Sequence, residues 1–224
     1  MKKLIPTSVL LLLSAFAAGA QGTVVFTTIN GTDLRAPVYG PETGDVAVAK
    51  SGNTSEGIPV GAQIYSGVRL AGSGYTAQLW AANGAGQAES SLVACPGATT
   101  SFRTGTAAGY VVFMTGTLTG VPKDALAATL QLRVWDNQGG TLPTWASTFG
   151  TGVNRGMSAP FDVLAIGGDI NTPPLLTGLR SFNIWWIPEP NTPLLFGLGV
   201  FVLWLSSRRR STTLVPADRQ ARRL

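Results

Sequence analysis

Short apolar runs follow one another through the middle of the chain, and glycine, proline, asparagine or aspartate interrupts each of them. Turn pairs such as Asn30-Gly31 and Asn83-Gly84 stand between the runs and are typical of chain reversals between strands. Such runs are too brief for packed helices but long enough for strands. The predicted strands are Thr23–Ile29, Ala62–Leu70, Tyr75–Ala81, Ser91–Cys95, Tyr110–Thr119, Thr129–Asp136, Phe161–Ile166 and Leu179–Trp186.

This spacing predicts an all-β domain, and it favours an antiparallel β-sandwich. A jelly roll is one form that the sandwich could take, and a closed barrel is the alternative architecture. The 28 glycines and the charged fraction of only 12% suit short strands joined by tight turns. One segment, Lys123–Ala128, has a helix-like composition, but it is too short to form a layer of the fold.

Two of the predicted strands, Tyr75–Ala81 and Thr129–Asp136, alternate between apolar and polar side chains. Successive side chains of a strand point to opposite faces, so Trp80 and Trp135 are both assigned to the polar face. An exposed aromatic ring can stack on the C–H groups of a sugar while polar neighbours bond its hydroxyls. The hypothetical glycan-contacting face consists of Trp80, Trp135, Gln78, Gln131 and Arg133. The alternative is that these tryptophans cover the sheet beneath a loop, near Trp145.

The available side chains do not predict catalysis, because the sequence contains no histidine. Histidine is the usual base of serine and cysteine nucleophiles and a common zinc ligand. Cys95 is the only cysteine, and its apolar neighbours predict a buried small side chain rather than a reactive thiol. No spacing singles out the carboxylate pair that a glycosidase needs. No catalytic residue, cofactor or metal is predicted, and calcium at Asp162 or Asp169 is not expected because neither lies in a recognisable oxygen-ligand loop.

The basic net charge of +5 comes from the two ends of the chain. Between Gln21 and Trp186 there are eight basic and nine acidic side chains, and they are scattered. A nucleic-acid-binding domain needs lysine and arginine clustered on one face. The sequence therefore predicts no nucleic-acid partner.

The first 20 residues have the three parts of a secretory signal peptide. Two lysines follow the initiator methionine, an apolar run extends from Leu4 to Ala18, and small residues at Ala18 and Ala20 mark a cleavage site. Cleavage after Ala20 would make Gln21 the first residue of the mature protein. The sequence thus predicts export of the domain that follows.

Three features follow one another near the C-terminus: Pro188-Glu189-Pro190, an apolar run from Pro193 to Leu205, and Arg208-Arg209-Arg210. The apolar run is short for a membrane span, which needs about 20 residues. Ser206, Ser207 and the long arginine side chains can extend it, so a transmembrane helix is predicted at 193–207. Basic flanks stay cytoplasmic, which would place the domain outside the inner membrane.

These three features together closely resemble the PEP-CTERM sorting domain of Gram-negative bacteria. The resemblance implies recognition by an exosortase, a membrane-embedded cysteine transpeptidase, followed by release or attachment at the cell surface, often in bacteria that produce exopolysaccharide. Signals of this family commonly stop just after the arginines, whereas this chain continues from Ser211 to Leu224. The polar, basic extension is expected to remain cytoplasmic.

Four segments are therefore predicted: a signal peptide at 1–20, an exported domain at 21–186, a sorting signal at 187–210 and a cytoplasmic tail at 211–224. The expected protein is a non-enzymatic component of the cell surface or extracellular matrix, anchored transiently in the inner membrane and processed by an exosortase. Its domain would have a structural role or bind extracellular polysaccharide. The alternatives are a secreted carbohydrate-active enzyme on a β-sandwich and a simple membrane-anchored envelope protein.

Overall fold

The computed structural model describes residues 21–187, which lie in the first of two compact units; the second unit, 189–224, lies outside the described range. The described part is built of strands, turns and short 3-10 segments, and no helix in it is long and apolar enough to span a bilayer. The strands are β1 Gln21–Phe26, β2 Ile29–Asn30, β3 Leu34–Arg35, β4 Val38–Tyr39, β5 Tyr75–Asn83, β6 Val93–Thr100, β7 Met114–Pro122, β8 Ala127–Asp136, β9 Asn154–Met157, β10 Phe161–Leu164, β11 Phe182–Asn183 and β12 Trp185–Trp186.

The main sheet has six strands and is antiparallel throughout, with β8 near its centre. Strand β8 pairs with β5 over nearly its whole length, from Asp136 opposite Tyr75 to Ala128 opposite Asn83. On its other side, β8 pairs first with β10 and then with β9. Strands β6 and β12 form the two ends of the order β12-β9-β8-β5-β6. The longest alternating segment of the sequence therefore becomes the strand with the most partners.

A second antiparallel sheet, formed by β1 and β7, lies against the main sheet. Strand β7 contacts both β5 and β6. Gly116 permits the contact with β6, because a Cβ at this position would lie only 2.8 Å from the Cβ of Ala98. The remaining pairs are small: β2 with β3 is antiparallel, and β4 with β11 is parallel.

The hydrophobic core lies between these sheets and draws on both of them. Val24, Phe26 and Leu118 come from the β1–β7 sheet, and all three are fully buried. Leu79 and Leu132 come from β5 and β8 and are equally buried. Burying one such side chain contributes about 1.5–3 kcal/mol, so this shared apolar layer is the main source of cohesion between the sheets.

The all-β prediction is confirmed, and so is the antiparallel character of the sheets. The two alternating segments, Tyr75–Ala81 and Thr129–Asp136, lie within β5 and β8. The predicted strand Leu179–Trp186 is instead divided into β11 and β12, which pair with different partners. Its two halves therefore belong to two sheets.

Two other predictions are wrong. Residues Ala62–Leu70 form no strand, although their exposure alternates, because their backbone makes only the isolated bridge of Arg69 with Tyr39 and scattered hydrogen bonds instead of a continuous ladder. The segment Lys123–Ala128 is not helical. Asp124 has a φ of +55°, which makes a tight turn that leads directly into β8.

Candidate functional site

The five residues of the hypothetical glycan-contacting face do lie on neighbouring positions of β5 and β8. Gln78 pairs with Arg133, and Trp80 pairs with Gln131, across the two strands. However, Trp135 is 0% exposed and Gln131 is 1% exposed, while Trp80 and Gln78 are partly exposed. The exposure that the glycan-contacting face requires of Trp135 is therefore absent. Contact of Trp80 and Gln78 with a glycan stays a prediction.

A loop from Asn137 to Gly152 covers this face. This arrangement agrees with the alternative interpretation, in which the tryptophans lie on the sheet beneath a loop near Trp145. The ring of Trp145 meets that of Trp135 edge to face, with 6.1 Å between their centroids. Trp135 Nε1 donates a hydrogen bond of 2.9 Å to the carbonyl oxygen of Leu142. The ring of Trp135 thus fills the space between sheet and loop, and its polar atom is satisfied.

Two arginines and three aromatic rings form a continuous stack at the same place. The Arg133 guanidinium lies 3.7 Å from the ring centroid of Trp80 and 5.4 Å from that of Trp145. The Arg155 guanidinium lies 5.8 Å from the ring centroid of Trp145 and 4.2 Å from that of Phe149. Each cation–π contact contributes about 0.5–2 kcal/mol. Stacking allows arginines to occupy a buried position, where desolvation lowers the pKa of Arg133.

The two aspartates that the sequence singles out, Asp162 and Asp169, are engaged by neighbouring donor groups. The Asp162 carboxylate accepts hydrogen bonds from the Thr129 hydroxyl and from the Gly86 amide, which lower its pKa. Asp169 pairs with Lys123 at 2.7 Å. Within residues 21–187, no three histidine, cysteine, aspartate or glutamate side chains gather as metal ligands would.

Asp124 closes a turn with its side chain. Its carboxylate accepts hydrogen bonds from the amides of Asn171, Asp169 and Ile170 at 2.7, 2.9 and 3.1 Å. These donors stabilise the charged form, the amide of Asn171 most, and they hold the pKa of Asp124 below its usual value. Asp124 therefore ties the turn before β8 to the segment that follows β10.

The prediction of a buried thiol at Cys95 is confirmed, since this side chain is 0% exposed. Desolvation raises its pKa, and the Thr119 amide donates to Sγ at 3.3 Å. A thiol of this kind packs as a small apolar side chain.

Sequence reasoning missed a second polar and aromatic site, which we call the tyrosine cleft. It has a volume of about 270 Å³. Its lining consists of Tyr39, Tyr65, Thr54, Ser55, Glu56, Gln63 and Ile64. The rings of Tyr39 and Tyr65 are stacked, with centroids 4.2 Å apart and planes 7° from parallel. The lining comes from three separated segments, so no local sequence pattern indicates it.

Residues 187–210 match the PEP-CTERM protein-sorting motif. The resemblance is thus confirmed, and the chain carries a PEP-CTERM sorting domain. This motif marks the chain as a protein targeted to an exosortase, and it indicates export with membrane-associated processing. No curated protein and no solved structure matches the chain.

The predicted site residues of the sorting signal and of the signal peptide lie outside the described residues. The match contains Pro188, Glu189, Pro190 and the three arginines 208–210. The cleavage-site residues Ala18 and Ala20, the transmembrane helix at 193–207 and the tail at 211–224 also remain predictions.

Proposed function

We propose that this chain is an exported surface or matrix protein that an exosortase sorts through its C-terminal signal. One observation carries the proposal: the sorting motif at 187–210 begins immediately after β12, the last strand of the folded body. The body and its sorting signal are thus adjacent in the chain without a long linker. The signal peptide at 1–20 delivers the body across the inner membrane, and the predicted helix at 193–207 anchors it there before processing.

The body is a β-sandwich without catalytic function, and it has a structural role or binds extracellular polysaccharide. Support for the sandwich comes from the β1–β7 sheet, which shares one apolar core with the main sheet. Support for a non-catalytic role comes from the sequence, which has no histidine, and from the aspartates and the thiol that are committed to packing and turns. Support for placement on the surface comes from the sorting signal.

The test is the location of the full chain in a Gram-negative host that has an exosortase. We expect the wild-type chain in the surface and medium fractions. A variant with Pro188→Ala, Glu189→Gln and Pro190→Ala is expected to accumulate uncut in the inner membrane, because the processing enzyme no longer recognises it.

The matched control changes three residues just beyond the motif, Ser211→Ala, Thr212→Ala and Thr213→Ala, and should be sorted like the wild type. The same wild-type chain in a strain that lacks the exosortase should behave like the Pro-Glu-Pro variant. Sorting of that variant at the wild-type level would refute the proposal.

A further inference from the structure

The tyrosine cleft presents a rigid aromatic ring. The Tyr65 hydroxyl lies 2.7 Å from the carbonyl oxygen of Gly52 and 3.0 Å from that of Ser181. Its ring is stacked on Tyr39, which is only 7% exposed. Burial raises the pKa of Tyr65 further above neutral pH, where a tyrosine hydroxyl is already protonated and can donate. A ring held in this way loses little conformational freedom when a ligand packs on it.

The rim of the cleft is rich in unoccupied hydrogen-bond acceptors. One carboxylate oxygen of Glu56 accepts a hydrogen bond from Arg69 at 3.0 Å, and the other oxygen has no partner among the described residues. Gln63 donates its amide nitrogen to the Ile64 carbonyl, which leaves its amide oxygen available. The Ser55 hydroxyl has no partner within residues 21–187 and can donate or accept.

The loop that carries this rim is fixed from below by Asn53, which is 4% exposed. The Asn53 amide nitrogen donates to the Pro59 carbonyl at 2.7 Å, and its amide oxygen accepts from the Ser181 amide at 2.8 Å. Gly61 approaches so closely that a Cβ there would clash with the Asn53 backbone. The rim of the cleft is therefore preorganised for ligand binding.

We propose that the tyrosine cleft binds one neutral pyranose residue of an extracellular polysaccharide. This inference rests on the polysaccharide-binding form of the proposed function. The flat face of the Tyr65 ring suits the C–H face of a sugar ring, and the rim acceptors suit its hydroxyl donors. A volume of about 270 Å³ lies just below the range of about 300–1,000 Å³ that is usual for ligand pockets, so the cleft suits a single ring.

The chemistry of the rim disfavours other ligands. A proline-rich peptide offers carbonyl acceptors and few donors, whereas the free groups of this rim are mainly acceptors and the Tyr65 hydroxyl is already engaged. An acidic polysaccharide would bring its carboxylates close to Glu56, which is 73% exposed at the side chain. A neutral sugar avoids both conflicts.

Affinity electrophoresis of the full chain, purified in mild detergent, tests the inference in gels that contain dextran, mannan, amylose or alginate. We expect a neutral polysaccharide to retard the wild type more than alginate does. Tyr65→Ala should weaken that retardation about tenfold, as expected for losing one stacked ring. Tyr65→Phe keeps the ring and should retain most of the binding. Gln63→Ala, a milder change at the rim, should weaken binding several-fold.

Phe113→Ala is the matched control, because this ring is 56% exposed but does not line the cleft. Its binding should equal that of the wild type, and urea melts confirm that each variant is folded. If no polysaccharide retards the wild type, both the proposal that the domain binds polysaccharide and the assignment of the tyrosine cleft as the sugar site are refuted. If the wild type is retarded and both Tyr65→Ala and Gln63→Ala bind equally well, the cleft assignment alone is overturned. Stronger retardation by alginate than by every neutral polymer overturns the choice of a neutral sugar.

Discussion

Replacement of Trp135 by alanine is expected to lower the free energy of unfolding by about 3–5 kcal/mol. Trp135 is fully buried between β8 and the loop at 137–152, where it meets Trp145 edge to face. The substitution leaves a large cavity and removes the hydrogen bond to the Leu142 carbonyl. Urea-induced unfolding of the wild type and the variant, followed by far-UV circular dichroism, measures the difference.

Trp186→Ala provides the matched control, because this tryptophan is 41% exposed on the end strand β12. It should cost less than half as much as Trp135→Ala. Equal unfolding midpoints for Trp135→Ala and the wild type would contradict a buried position for this ring. Such a result would restore Trp135 as a candidate for the exposed glycan-contacting face.

Asn53→Ala is the second substitution with a large expected effect, a loss of about 2–4 kcal/mol. Two hydrogen bonds of a buried side chain disappear, and the Pro59 carbonyl and the Ser181 amide lose their partner. The Ser181 amide is buried and then carries a desolvation penalty that no neighbour offsets, whereas Pro59 is exposed and its carbonyl loses less. Thermal or urea-induced unfolding of the full chain measures this loss.

The control for this substitution is Asn83→Ala, because Asn83 is exposed at the end of β5. Its unfolding midpoint should stay close to that of the wild type. The two variants should also differ in sugar binding, since Asn53 supports the rim of the tyrosine cleft and Asn83 does not. Equal stability of the two variants would contradict the assigned role of Asn53.

The strands β5 and β8 were predictable from sequence because each alternates in polarity over a long segment. The burial of both faces of β8 was not predictable. Gln131 and Arg133 mark a solvent-facing side in the alternation, yet they are 1% and 8% exposed. The loop at 137–152 covers this face of β8. The Arg133 guanidinium is accommodated there because it stacks between the rings of Trp80 and Trp145. These contacts join residues far apart in the sequence, so no local pattern indicates them.

The tyrosine cleft could not be predicted from the sequence for the same reason. Its ring, its rim and its supporting bonds come from positions near 39, 53–56, 63–65 and 181. The alternation in Ala62–Leu70 is real, but side-chain bonds and scattered backbone bonds hold this segment instead of a ladder. A strand prediction therefore placed Tyr65 in the wrong kind of element and did not associate it with Tyr39.

The sorting signal, in contrast, was predictable from sequence alone. A processing enzyme and a membrane recognise a linear segment, so the order Pro-Glu-Pro, apolar run and arginines contains the information. Proline on both sides of Glu189 disfavours helix and sheet, so from the sequence we expect such a segment to be accessible to an enzyme. For this reason the destination of the chain is better defined than the ligand of its body.

The most direct test of sorting is the intact mass and the C-terminal peptide of the protein recovered from the surface and medium of its native host. We expect a chain that ends near Pro190, without the arginines 208–210 and with or without an added group at the new C-terminus. A chain that still ends at Leu224 and is found in the inner membrane would contradict exosortase processing and would indicate a simple membrane-anchored protein.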